Sequence, residues 1–458
     1  MFNIITLRFH SVLLVILFAI LAIGTGLLMA EGNYDWQGLL LVALAIGVIA
    51  YLLLPRMSRL DDWKYFPRIL TAGLILKLVF SLLLIWIGFV LYGGVVDAIG
   101  YHNKGTEIAQ YIWGLEFDQV TPFLQWGTRS VDLFTGVIYS IIGPTLYGGF
   151  LIYGCLAFLG SYFFYRAFRE AFPQGNRRLY AILVFFFPSI LLWSNGIGKD
   201  SLIFLLTGLF SYGGAQLYRG QLRGFVLLAI GLLGVMWIRP HIAAILALAL
   251  IAGFIVPERG KGAARPVISI IGLLVVAGFA WFLLPQLMTY LSIEELSPAG
   301  VFSLLERQQS LTFEGGSAFR SVDISNPLNF PMAAITVLFR PFVWEAHNLL
   351  ALVQSLEGLI FMGLVLWRVK SLGKALASSI SNAYVRFILI FIIAFIIAFS
   401  SIQNFGSLVR WRTMMLPFFF ILIAVDSKRE TSLSPAVSSL QPSRQSREAP
   451  SEEDKGSY

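Results

Sequence analysis

Apolar runs, each close to the length of a membrane-crossing helix, follow one another along almost this whole chain and constrain it more than any motif does. A hydrocarbon core about 30 Å thick takes about 20 apolar residues per helix. Twelve runs read as spans: 11–30, 37–55, 69–96, 147–165, 179–194, 200–215, 224–238, 242–257, 266–291, 346–367, 385–403 and 411–425. The shorter ones need neighbours or interfacial anchors to cross. With 57% hydrophobic and 13% charged residues over 458 positions, a soluble domain has too little interior for the apolar surface. The expected fold is therefore all-α: a polytopic integral membrane protein of about 12 transmembrane helices, with the lipid bilayer as its first partner.

The net charge of +8 does not point to nucleic acid, because the basic residues come in short groups between apolar runs and build no long basic face. They follow the positive-inside rule instead. With the N-terminus in the cytoplasm, seventeen lysines and arginines fall in or beside inner loops and nine in outer ones. Arg8 precedes the first run as in a signal peptide, but that run is too long for such a segment, and its removal would invert every later loop. From Asp426 onward the chain is Ser, Pro and charge, which predicts a disordered cytoplasmic tail over 426–458 behind a membrane domain of 1–425. Both termini are expected in the cytoplasm.

Most connections are short, but the outer loops 97–146 and 292–345 are long. In the first, Ile108, Tyr111, Ile112 and Leu115 recur at helical spacing, the pattern of an interfacial amphipathic helix. Residues 134–142 are apolar but too short to span before Gly143-Pro144.

Ionisable residues fixed to helix ends at membrane depth are costly and mark candidate sites. They gather at the outer ends: Asp97 after the third span, Lys199-Asp200 in a tight turn, Arg239-Pro240-His241, Arg340 with Trp344 and Glu345, and Arg410-Trp411-Arg412. Lys199, Arg239, Arg340, Arg410 and Arg412 suit a phosphate or pyrophosphate carried on a lipid, because arginine grips phosphate with two parallel hydrogen bonds and lysine adds a point charge. Simple anchoring at outer headgroups is the competing account. Asp97 is placed to take a proton from a sugar hydroxyl. His102 would orient the acceptor or phosphate. Tyr101, Asp200, His241, Trp344 and Glu345 are candidate supports, and Asp200 has a second reading as a helix cap before Ser201.

Several chemistries find no footing. The chain carries no phosphate-binding Gly-x4-Gly-Lys-Ser/Thr loop and no Gly-x-Ser-x-Gly elbow. Its single cysteine, Cys155, rules out an internal disulfide framework or a cysteine-based metal centre. The four histidines form no ligand pair at helical spacing, so no protein metal site is expected. A divalent ion, Mg or Mn, would at most bridge carboxylates and substrate phosphates.

A span ending in Asp97, followed by Tyr101-His102 and a long loop, resembles the first outer loop of GT-C superfamily membrane glycosyltransferases of the bacterial type. Phe187-Pro188-Ser189 through Lys199-Asp200, and the late Arg410-x-Arg412-x4-Pro417, resemble members of the same class. The resemblance covers about residues 70–260 and 400–425. It implies transfer of a sugar from a polyprenyl-phosphate-linked donor to a cell-envelope glycan, lipid or protein acceptor at the outer face of a bacterial inner membrane. The outer arginines and the long late loop also resemble O-antigen or exopolysaccharide polymerases, which use undecaprenyl-pyrophosphate-linked repeat units. A lipid-linked sugar flippase is a third reading, which fits less well because the spans hold few central charges, Lys77 and Glu357 among them.

Overall fold

In hydrocarbon a chain must satisfy its own N–H and C=O groups, which leaves an apolar run the helix or the closed barrel. The computed structural model describes residues 34–91, 93–94, 96–255, 317–324 and 326–425, with 278 and 288 as single positions. Among these residues the chain is helical, and an isolated bridge between Ala318 and Asn404 is the one β feature. The runs 11–30 and 266–291, the start of the late outer loop and the tail from Asp426 lie outside the described residues.

The helices are α1 (Tyr34–Ser58), α2 (Phe66–Val90), α3 (Asp97–Trp113), α4 (Phe117–Val120), α5 (Thr128–Ile142), α6 (Leu146–Ala171), α7 (Arg177–Phe186), α8 (Pro188–Trp193) and α9 (Lys199–Tyr218). There follow α10 (Gly224–Ile238), α11 (Pro240–Ile255), α12 (Phe330–Phe339), α13 (Leu349–Trp367), α14 (Val369–Ser378), α15 (Ala383–Phe399), α16 (Phe405–Arg412) and α17 (Leu416–Ala424). Among the described residues, four helices are long and apolar enough to cross a membrane: α1 from Asp35, α2, α6 and α13. The bent pairs α14 with α15, and α16 with α17, raise that to six if each is one span.

At the centre, α9 packs between α6 and α10. Glycines bring the backbones together: a Cβ on Gly208 would lie 2.7 Å from the Gly160 carbonyl oxygen, and one on Gly231 would lie 2.6 Å from Leu206 O. Without an apolar-solvent contrast between helices in lipid, this close packing supplies much of the association.

The connections sort into two ends. At one, Asp61 between α1 and α2 pairs with Arg169 of α6 at 2.8 Å and Arg177 of α7 at 3.1 Å, and Tyr165 donates to it at 2.8 Å. Gln221 donates to Glu170 at 2.9 Å, and Arg368 Nε donates to Ile423 O at 2.9 Å. These contacts gather the connections that the charge pattern assigns to the cytoplasm. At the opposite end lie the α2–α3, α8–α9 and α10–α11 connections and α16. There α3 and α5 form a hairpin of their own, with Gly105 against Thr135 and Gly136 against Ile108. The expected amphipathic helix is α3, with Ile108 fully buried, although Leu115 lies beyond its end and is exposed.

Candidate functional site

Pro188 interrupts a helix and starts a new one, so α7 and α8 form a broken element that ends in the turn Ser194–Gly198. Gly196 sits at φ +86°, and a Cβ there would meet Leu84 and Phe150 side chains at 2.9 Å, so the turn requires glycine. Buried Lys77, in mid-α2, donates to Ile190 O and Ser194 Oγ, each at 2.6 Å, placing a strong donor at the C-terminal end of α8. Asn195 Nδ2 donates to Lys77 O at 3.1 Å and Leu191 O at 2.6 Å. At the other end of α8, Ser189 donates to the buried Glu357 carboxylate at 2.5 Å. The two central ionisable residues legible in the sequence thus clamp one short helix and aim the turn that carries Lys199 and Asp200.

The turn is recessed. Gly196 lies beside Leu84, six residues before the end of α2, which at 1.5 Å per residue is about 9 Å below that end.

Asp200, buried in the first turn of α9, is the hub. Arg239 pairs with its Oδ1 at 2.8 Å, off the line of a hydrogen bond, and Arg410 Nε donates to its Oδ2. Arg410 Nη1 also reaches Asp97 Oδ2 at 3.4 Å. The Arg239 guanidinium lies over the Trp411 ring, 5.4 Å from its centroid. Lys199 turns the other way and donates to Thr128 Oγ1 of α5 at 2.7 Å. Residues from α3, α9, the α10–α11 connection and α16 therefore meet at one point.

Arg340 and Arg412 are spent elsewhere. Arg412 is buried and its Nη1 donates to Leu338 O at 2.7 Å and Arg340 O at 3.1 Å, so it satisfies carbonyls at the C-terminus of α12. Arg340 closes its fork on Glu345 and lies over Phe319 and Phe405. Trp344 is 82% exposed and stacks on Phe342, outside the Asp200 network. The expected five-cation clamp is thus two arginines on one carboxylate, with Lys199 beside them but turned to Thr128.

Asp97 and His102, expected at one site, also separate. Five residues turn a helix by about 500°, so the two side chains leave α3 about 140° apart. Asp97 faces Arg410, whereas His102 Nδ1 meets the Tyr139 hydroxyl at 2.8 Å. Burial holds the His102 imidazole below its usual pKa. Tyr101, one turn from Asp97, packs 3.7 Å from where a Cβ on Gly198 would be, and burial with the Asp97 charge pushes its phenol well up. His241 Nδ1 is enclosed with no hydrogen-bond partner among the described residues.

One carboxylate escaped the sequence reading. Thr128, Asp132, Thr135 and Tyr139 recur at i, i+4, i+7 and i+11, a polar stripe on one face of α5. Three of its members hold partners: Thr128 meets Lys199, Thr135 meets the Tyr153 hydroxyl at 2.7 Å, and Tyr139 meets His102. Asp132 is 7% exposed, and burial pushes its carboxyl up to about 6. The apolar run over 134–142 had masked this period.

Among the described residues no three of His, Cys, Asp and Glu gather as a metal-holding group. Asp97 and Asp200 meet through Arg410 rather than across an open cradle, which does not fit a bridging Mg or Mn ion, and no step is assigned to one. A scan against protein-family models found no match, and searches of curated proteins and of solved structures returned no similar chain.

Proposed function

We propose that this chain is a multi-pass membrane glycosyltransferase, with about twelve spans and both termini in the cytoplasm of a bacterial cell. It moves a sugar from a polyprenyl-phosphate-linked donor to an envelope glycan, lipid or protein acceptor at the outer face. The observation that carries this reading is the convergence of Arg239 and Arg410 on Asp200 from separate elements, with Lys199 next to it in the chain. A lipid-linked phosphate sits at headgroup depth, and cations gathered at helix ends are placed to meet it.

In this mechanism the acceptor hydroxyl loses its proton to a carboxylate and attacks the anomeric carbon. The bond from that carbon to the phosphate oxygen breaks, and its electron pair leaves with the polyprenyl phosphate. Arg239 and Arg410 are fixed by Asp200 before substrate arrives, so they stabilise developing charge without reorganising. Lys199 holds only a neutral hydroxyl and is the mobile cation that meets the phosphate. Because two carboxylates already engage the arginines, one uncommitted cation suits a singly charged phosphodiester better than a pyrophosphate. That favours single-sugar transfer over the polymerase reading.

The test is mass analysis of lipid-linked sugars and envelope glycans in a strain lacking the chain, with binding of undecaprenyl phosphate by the purified protein. One missing sugar with a retained donor is expected, together with binding that Lys199→Gln weakens about tenfold or more. Accumulated repeat units favour the polymerase. An unchanged envelope and no binding remove the enzyme reading.

A further inference from the structure

Three carboxylates stand near the site's cations, and they differ in what they are already doing. Asp200 is locked between Arg239 and Arg410. The Asp97 side chain is 70% exposed and shares Arg410. Asp132 is buried in the α3–α5 hairpin and holds no hydrogen bond or ion pair among the described residues. It lies one helical turn from Thr128, the hydroxyl that Lys199 holds, so Asp132 is within reach of the Lys199 charge. Its charged surroundings are Lys104 and Glu107 on α3, Lys199 on α9 and Arg129 on its own helix, and the phenols of Tyr101 and Tyr153 lie within reach of its charge. Two of those cations are engaged elsewhere: Lys104 pairs with Glu107 at 2.8 Å, and Arg129 donates to Pro122 O at 3.0 Å.

A general base must be close to the substrate, sheltered, and free to change charge. A carboxylate in a fixed ion pair is stabilised in its charged form and resists taking a proton. We infer that Asp132, rather than Asp97, is the catalytic residue that accepts the acceptor hydroxyl's proton beside the Lys199 phosphate site. The proposal rests on the glycosyl-transfer reading. The hydroxyl oxygen bonds to the anomeric carbon, its proton passes to an Asp132 oxygen, and the phosphate leaves with the electron pair of the broken bond. Asp97 then acts through Arg410 as a positioning residue. Burial already places the Asp132 carboxyl at about 6, so the working form is populated above that pH and lost below it.

The experiment uses the full-length protein in lipid nanodiscs, with undecaprenyl-phosphate carrying a labelled hexose as the donor probe and envelope glycan extract as acceptor. Insertion and fold are checked by size exclusion, and donor affinity is measured separately from turnover. Turnover of the natural protein should rise through about pH 6. Asp132→Asn should lower turnover at least about 100-fold with donor affinity unchanged. Asp132→Glu should restore part of it with a displaced acid limb, whereas Asp97→Asn should lower it less than tenfold. Near-normal turnover in Asp132→Asn, or a loss equal in size with an unmoved pH profile in Asp132→Glu, overturns the assignment. If the natural protein binds and consumes no lipid-linked donor, the glycosyl reading itself fails, and the base falls with it.

Discussion

Replacing Asp200 by Asn removes one negative charge from between two guanidinium groups and leaves the side-chain shape almost unchanged. The Arg239–Asp200 pair has side chains 9% and 4% exposed and a separation of 2.8 Å. At an effective dielectric near 20, that separation corresponds to an attraction of about 6 kcal/mol. Desolvation of the two charges offsets much of this in the intact protein; the variant is relieved of the carboxylate's share but leaves the desolvated Arg239 without its partner. The expected destabilisation is about 3–5 kcal/mol. Arg410 adds less, because its side chain is 34% exposed and water screens it. The assay is equilibrium unfolding in mixed micelles, run as a cycle with Arg239→Gln and the double variant. The double variant should recover part of the loss, because it no longer strands an unpaired cation, and the coupling should reach about 2 kcal/mol. Gly198, not Asp200, is the N-cap of α9, and a stability for Asp200→Asn within about 0.5 kcal/mol of the natural protein would refute the hub.

Arg412→Lys should cost about 1.5–3 kcal/mol, because an ammonium does not reproduce the planar fork whose Nη1 serves both Leu338 O and Arg340 O, while donor affinity of the folded variant stays unchanged. Normal stability with lost affinity would return Arg412 to the phosphate site. In a Cys155→Ala background, cysteine at Asn103 should react with an impermeant thiol reagent from outside the cell and cysteine at Lys374 only after permeabilisation, both being exposed positions. The reverse pattern would invert the assigned orientation and move the site to the cytoplasmic face.

Helical structure was legible in the sequence for a plain reason: apolar runs near 20 residues long leave the backbone few other ways to satisfy its polar groups in lipid. The clustering of basic connections at one end and of Asp97, Lys199, Arg239 and Arg410 at the other was legible too, because antiparallel helices return alternate loops to the same side. The sequence did not show which cations remain available. Arg410 and Arg412 are two residues apart, and a helix sends such neighbours about 200° apart, one to Asp200 and the other to the end of α12. Asp97 and His102 were expected to serve one site, although helical geometry turns them to different partners. Asp132 was hidden for the opposite reason, as one carboxylate among apolar residues whose polar stripe gains meaning only once α5 is laid against α3, α6 and α9. Local periodicity determined the helices and the end of the bundle to which each charge belongs. Tertiary packing decided which charges neutralise one another, because ion pairs here join residues as far apart in sequence as Asp97 and Arg410.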